Sequence, residues 1–520
     1  MTEKDRRKPQ VKKGVFRFVI SIVITIAEIV AIVFAVSYIT RQVWWLDYML
    51  KALAVVMVLW IYSQHNTASM KMPWIILIMA FPLPGMTMYL LTRYSLSEIR
   101  MRRRYRDIDA VLLPMLQNED RRKDLADFKK KYVPLGGTAD YLVHYSGYPV
   151  YSNSRVRYFS SAADELKVQK EALERAQDFI FIEYYAIEEG EIWNSLLEIL
   201  KRKAEQGVEV RVIYDDIGSM RYMTTDFTKR MEACGIRCRV FNTFMPGFSA
   251  FRDNRDHRKM MITDGKAAFT GGYNLADEYF NITHPYGFWK DTGVEVLGEA
   301  VKSFTVTFLE MWNAVRDNDI DDVSYAQYLP EVQPLPGADG FVQPYADTPM
   351  DNEHVGEEVY ISLAYSAHRY IWYVTPYLII TDEMIHALGL AAKKGVDVRI
   401  ITPGIPDKKI IYSVTRSYYN SLVRNGVKIY EYTPGFCHCK MCVTDDTAAV
   451  CGTINLDYRS LYHHFEDGCL YVGKKAVKDT KADFENMFAE CRDVTETYRT
   501  GRSTRLWFGQ MILRLIAQML

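Results

Sequence analysis

Apolar and polar positions follow two rhythms along this chain. Up to residue 91 the apolar residues form long runs, at 15–39, 46–62 and 74–91, broken by few charges. A helix needs about 20 such residues to cross about 30 Å of hydrocarbon, so these runs predict membrane segments. Trp44, Trp45, Trp60 and Trp74 lie near their ends, where amphipathic rings favour the interface. A cleaved signal peptide fits less well: the first run is too long and no small-residue cleavage site stands out. Glu28 in mid-segment suits a tilted or interfacial first helix. Pro82, Pro84 and Gly85 suit a kinked or re-entrant third segment. Both the N-terminal tail (Lys4, Arg6, Arg7, Lys8, Lys12, Lys13) and the run Arg100, Arg102, Arg103, Arg104, Arg106 are basic, which asks for both on the cytoplasmic side. The expectation is a multi-pass anchor of two or three crossings with the main domain on the cytoplasmic face.

Beyond residue 150 the rhythm changes to short buried-type strands alternating with helical periodicity. Residues 179–185 predict a strand, Ile192, Leu196, Ile199 and Leu200 a helix, and 208–214 a parallel strand. A further helix leads to Gly235 and a strand at 236–241, and after a long loop come strands around His257 and at 267–270. The same order returns from residue 370: a strand at 370–374, a helix at 384–394, a strand at 395–401, then Gly426. Recurrence with drifting offsets predicts an internal duplication with loop insertions. The fold class expected is α/β, two duplicated halves with pseudo-two-fold symmetry, preceded by N-terminal transmembrane helices. The boundaries expected are 1–92 for basic tail and anchor, 93–150 for a connector, 151–340 and 341–500 for the halves, and 501–520 for a C-terminal segment. In that last segment Leu506, Trp507, Phe508, Met511, Ile512, Leu513 and Leu515 with Arg505 and Arg514 suit an interfacial helix or a core-packing one.

The strongest signal sits in the two halves. His257-Arg258-Lys259 and His438-Cys439-Lys440 each begin a His-x-Lys-x4-Asp motif, ending in Asp264 and Asp445. Gly271 and Asn274 follow the first, Gly452 and Asn455 the second, at a constant separation of 181 residues between halves. On an extended strand residues i and i+2 share a face, so each His and Lys point the same way. Two imidazoles, two ammoniums and two amides around one cleft suit a tetrahedral phosphate whose charge spreads over its oxygens in the transition state. One neutral His can attack phosphorus while the other, protonated, donates to the leaving oxygen. Asp291 and Glu466 each lie seven residues before a glycine, Gly298 and Gly473, and so align as acidic partners, one for each motif, able to fix an imidazole tautomer. Asp264 and Asp445 belong to the catalytic motif, but Asp264-Gly265 is a turn pair, and these carboxylates are expected to brace structure.

Composition narrows the reading. Lys plus Arg and Asp plus Glu are equal at 64 each, which gives no basic excess for nucleic acid. No Mg²⁺-type carboxylate cluster or Gly-rich phosphate loop stands out, so the route expected is covalent, with no cofactor and no metal. Cys437, Cys439 and Cys442 crowd around His438, but the block around His257 has no Cys, and small buried thiols are the better reading.

These motifs, with Gly271-Gly272-Tyr273-Asn274 and with Gly452-Thr453-Ile454-Asn455-Leu456-Asp457-Tyr458-Arg459-Ser460 and Phe465-Glu466, resemble the phospholipase D superfamily and, within it, the bacterial cardiolipin synthases. Trp74, Pro82, Gly85 and Tyr89 resemble that family's anchor. The resemblance covers residues 70–520. An extra hydrophobic segment precedes the usual anchor, and Cys439 stands where a small residue is usual. The resemblance implies a bacterial plasma-membrane enzyme that joins two phosphatidylglycerols into cardiolipin with release of glycerol. It implies His257 as nucleophile, His438 as general acid and then base, and Lys259, Lys440, Asn274 and Asn455 as phosphate holders. A phospholipase D-type hydrolase, or transfer to another alcohol, is the alternative. The partners implied are phosphatidylglycerol and the bilayer, without nucleic acid; oligomeric state is not specified.

Overall fold

The computed structural model describes residues 44–65, 67–93, 96–243, 253–316, 324–333, 335–500, 508–515 and 517, with scattered residues between 23 and 38. The apolar segment expected at 15–39 lies for the most part outside the described residues.

Two mixed sheets carry the chain beyond residue 150. Across the first run Ser154–Phe159, Gly293–Gly298, Ala267–Gly271, Lys259–Thr263, Phe179–Tyr184, Glu209–Asp215 and Arg237–Phe241. Across the second run Phe341–Asp347, Glu466–Val472, Ala448–Gly452, Met441–Thr444, Tyr370–Val374, Asp397–Pro403, Lys428–Tyr432 and the extra edge strand Cys491–Asp493. Matched strand for strand, the order is the same, and the predicted duplication is therefore a duplication of topology. In both halves the strand–helix–strand unit is parallel: Phe179–Tyr184 pairs with Glu209–Asp215, and Tyr370–Val374 with Asp397–Pro403.

The composition of these strands follows from their position. Helices cover both faces, so every residue of Phe179–Tyr184 and Lys259–Thr263 is buried, and the strands read as near-continuous apolar runs. Ile180, Ile182 and Met261 face one core, while Phe181, Met260 and Ile262 face the other, shared with the second half. Each such side chain contributes about 1.5–3 kcal/mol on burial.

Toward the N-terminus, Trp44–Tyr62 is one helix, and its stretch Trp45–Tyr62 is long and apolar enough to cross a bilayer. The run expected at 74–91 is not one span. It divides into Ala68–Ala80 and Pro82–Arg93, which pack on each other and on Trp44–Tyr62 around Ile61, Ile78, Met86 and Tyr89. Gly85 permits this fold-back, since a Cβ there would come 2.7 Å from the Ile78 Cα.

Residues 96–144 do more than connect. Leu96–Leu112 packs along Val301–Val315, and Tyr105 is buried with its hydroxyl accepting from Arg258, one residue after His257. At the other end, Phe508–Leu515 rests on Lys409–Arg424 and on Ala68–Ala80, with Arg514 over the Tyr418 ring. It leaves Phe508, Met511, Ile512 and Leu515 exposed.

Candidate active site

The two motifs meet because each is stitched to the opposite half. The Asp256 segment bridges Phe465, with the His257 N–H donating to the Phe465 carbonyl at 2.9 Å and the Phe465 N–H to the Arg255 carbonyl at 2.8 Å. Likewise Gly435–Cys437 pairs in parallel with Phe288–Lys290, and the His438 N–H donates to the Lys290 carbonyl at 2.8 Å. Each histidine therefore lies beside the carboxylate that follows its pairing partner. His257 Nδ1 is 2.9 Å from Glu466 Oε1, and His438 Nδ1 is 2.7 Å from Asp291 Oδ2. The expected carboxylates are both used, and each serves the motif of the other half. Spacing along the sequence carries no information about that crossing.

With Nδ1–H donated to a carboxylate, each imidazole presents its Nε2 lone pair to the cleft. The cleft holds about 380 Å³ and is lined by His257, His438, Asn274 and Asn455 from the predicted set. Asn274 is braced, its Oδ1 accepting from the Ala186 N–H at 3.2 Å and its Nδ2 donating to the Tyr279 hydroxyl at 2.7 Å. Lys259 and Lys440 lie behind the histidines. Lys259 Nζ donates to the His257 carbonyl at 2.5 Å, while Lys440 Nζ is 2.8 Å from His438 Nδ1 and also donates to the His438 carbonyl. One Nδ1 cannot donate to Asp291 and accept from Lys440 together. The carbonyl satisfies Lys440, so the carboxylate takes the ring proton.

Burial governs the charges. It pushes both imidazoles well below the ordinary histidine range, and the Lys259 and Lys440 ammoniums push the same way. Burial also lowers Lys259 to about 7 against the opposing pull of Glu466, and raises Asp291 to about 7 against the pull of Lys440. Both shifts favour the neutral imidazole, the form with a free lone pair.

Asp264 and Asp445, counted with the catalytic motif, do not line the cleft. Asp264 accepts from the backbone N–H groups of Gln177, Asp178 and Phe179, and Asp445 from those of His368, Arg369 and Tyr370. Each stands at positive φ, 52° and 54°, just past its strand. They are turn carboxylates that pin the start of the neighbouring strand. These contacts are the ones a bracing role calls for, and neither carboxylate lines the cleft.

The motif glycines are explained by close approach: a Cβ at Gly271 would lie 2.5 Å from the Thr292 carbonyl oxygen, and one at Gly452 2.4 Å from that of Asp467. Several site residues were not read from the sequence. Thr453 Oγ1 donates to Glu466 Oε2 at 2.5 Å, and its place beside Gly452 in the motif was the available signal. Tyr185 packs edge-on to His257 at 5.0 Å, and Tyr279 and Trp289 stand 5.3 and 5.4 Å from His438. Tyr185 ends the predicted strand at 179–185, while Tyr279 and Trp289 lie on the short elements Asp277–Phe280 and Phe288–Lys290, which periodicity does not mark. His464 lies 5.4 Å from His257, centroid to centroid. Together with His257 and Glu466 it could hold a metal ion. Cys437, Cys439 and Cys442 are buried thiols in the strand region, as the composition suggested.

The sequence profile of the family described as "Cardiolipin synthase, PLD-like domain" matches residues 170–312 and 360–488. An uncharacterized protein of Streptococcus mutans is 40% identical over 458 residues, 88% of this chain and 98% of its own. The cardiolipin synthase of Alkalihalophilus pseudofirmus is 30% identical over 472 residues, 87% of this chain and 91% of its own. That of Geobacillus kaustophilus is 29% identical over 506 residues, 95% and 99%. The phosphatidylserine synthase of Haemophilus influenzae superposes with a TM-score of 0.56 at 14% identity, covering 74% of this chain and 98% of that one, which shows a shared fold.

Proposed function

Because this chain belongs to the phospholipase D-like family described as "Cardiolipin synthase, PLD-like domain", we propose that it condenses two phosphatidylglycerols into cardiolipin with release of glycerol. It is a phosphatidyltransferase of that superfamily. The observation that carries the reading is the pair of imidazoles on one cleft, each with Nδ1 held by a carboxylate from the opposite half.

His257 Nε2 attacks phosphorus of the first lipid, and the bond from phosphorus to the glycerol oxygen breaks. His438 gives its proton to that oxygen, so glycerol leaves neutral. The phosphodiester anion itself favours the imidazolium on His438, since it offsets the two ammoniums that hold the free ring neutral. A hydroxyl of the second lipid then gives its proton to His438 and attacks phosphorus, and the P–N bond breaks. The allocation of the two roles follows the family pattern. Lys259 and Lys440 supply positive charge behind the phosphate, and Asn274 and Asn455 flank it. Acid–base help of this kind is worth about 10²–10⁴ in rate.

Water competes for the intermediate, so the site must take both substrates from a bilayer and stay dry. Supporting this are the aromatic wall around His438, the helices ending at Arg93, and the exposed apolar side chains of Phe508–Leu515. We place the enzyme in the bacterial plasma membrane as a multi-pass protein with its catalytic halves, 151–340 and 341–500, on the cytoplasmic face. Incubation of the purified protein with labelled phosphatidylglycerol is the test. Cardiolipin and glycerol in equal amounts are expected, and phosphatidic acid as the main product would sink the proposal in favour of a hydrolase.

A further inference from the structure

Glu466 faces two imidazoles. Its Oε1 lies 2.9 Å from His257 Nδ1 and 3.7 Å from His464 Nδ1. Among the described residues, these three side chains are the group whose metal-ligating atoms all fall within 4.8 Å of one another. His464 is 9% exposed, and neither of its ring nitrogens has a hydrogen-bond partner. A buried polar group in that state costs about 1–3 kcal/mol, so a ligand that satisfied it would recover that energy. The mechanism above does not use it.

We propose that His257, His464 and Glu466 form an inhibitory site for a zinc-like divalent transition-metal ion, which replaces the hydrogen bond that activates His257. The donor set, two imidazoles and a carboxylate, is one that Zn²⁺ takes, with bonds of about 2.0–2.2 Å. Tetrahedral ligation at that length sets donor atoms about 3.4 Å apart. The distances of 2.9 and 3.7 Å from Glu466 bracket this value, and all three donor atoms already lie within 4.8 Å of one another, so side-chain adjustment brings them to one ion. Two of the three ligands, His257 and His464, line the cleft, which gives an ion a route to the site.

The chemical consequence follows from the tautomer. Coordination through Nδ1 of His257 moves that ring's single exchangeable proton to Nε2. The lone pair that would bond phosphorus is then an N–H, and the covalent intermediate cannot form. Glu466 exchanges an N–H···O contact for a metal–oxygen bond, and no electrons are transferred. Lys259 and Lys440 oppose a dication, so the site fills only when free metal rises and differs from a resident structural zinc. This inference rests on the proposed role of His257 as nucleophile.

The test uses the full chain, stripped with a chelator and assayed on phosphatidylglycerol in detergent, titrated with zinc chloride and, separately, cobalt chloride. Wild type is expected to lose activity with zinc and regain it with excess chelator. His464→Asn and His464→Phe should retain measurable turnover in metal-free buffer, and each is titrated against its own metal-free rate. Loss of one of three ligands should raise the half-inhibitory zinc concentration at least about tenfold, the lower end of what even outer-shell partners are worth. Cobalt should give the intense visible bands of a four-coordinate site in wild type, lost in His464→Phe. Cys439→Ala should change neither readout. Unchanged zinc sensitivity in both His464 variants, loss of their metal-free turnover, or transfer of the effect to Cys439 would each overturn the proposal. Failure of metal-free wild type to make cardiolipin would count against the reaction proposed above, while the cobalt spectrum would still report on the site.

Discussion

His257 Nδ1 lies 2.9 Å from Glu466 Oε1, a carboxylate 209 residues further along the chain and in the other half of the molecule. The reciprocal pair, His438 and Asp291, is 147 residues apart. Neither half therefore carries a working imidazole alone. The crossing makes different demands on the two carboxylates if His257 attacks and His438 handles protons. Glu466→Gln should chiefly slow formation of the phosphatidyl-enzyme, while Asp291→Asn should slow both its formation and its breakdown, since His438 protonates glycerol in the first step and takes the acceptor's proton in the second. Alkaline quenching preserves the P–N bond, so the labelled enzyme can be counted after rapid mixing. The reverse pattern would exchange the roles of the two histidines.

Removing either imidazole should remove the covalent route. We expect His257→Ala and His438→Ala each to lower cardiolipin formation by at least about 10²–10⁴, and the double variant to be little worse than either single one, since the residues act as a unit. Wild-type turnover in both single variants, measured on phosphatidylglycerol in mixed micelles, would end the mechanism.

The turn carboxylates make a contrasting case. Asp264 receives three backbone N–H groups at 2.8–3.0 Å, and it does not touch the cleft. Asp264→Ala leaves those donors unsatisfied, at about 1–3 kcal/mol or more. Its melting temperature should fall by several degrees, and turnover per folded molecule, normalised by circular dichroism, should stay within a few-fold of wild type. A full loss of turnover with unchanged stability would return Asp264 to the catalytic set.

Much of this was legible because it is local. Strand periodicity located Phe179–Tyr184 and Tyr370–Val374 nearly to the residue, and the repeated His, Lys, Gly and Asn marked the cleft. What was not legible depends on contacts between distant segments. Asp291 and Glu466 were found by alignment, but their exchange between halves is set by the pairing of Phe288–Lys290 with Gly435–Cys437, a register that no pattern within one segment specifies. The split of the third apolar run at Pro82 was open in the sequence, because a proline is compatible with both a kink and a reversal. Its resolution lies in the packing of Gly85 on Ile78. His464 reads as one of two adjacent histidines until the fold sets it beside His257.

Asp291 also supplies a pH signature. Burial raises its carboxyl to about 7, so the charged form exists above that pH and is lost as pH falls through it. Below about 7 the neutral carboxyl no longer stabilises an imidazolium on His438, and that imidazolium is the form required to protonate glycerol. The kcat/KM of wild type should therefore show an acidic limb that breaks near pH 7. In Asp291→Asn the limb should flatten, on a rate already lowered at every pH, because the group that titrates is gone while the ring retains a hydrogen-bonding neighbour. Glu466→Gln, which acts on the other imidazole, should lower the rate and leave the limb in place. Both profiles are measured as initial cardiolipin formation at low phosphatidylglycerol between pH 5 and 9. An acidic limb that survives unchanged in Asp291→Asn would assign the break to another group and remove Asp291 from proton handling.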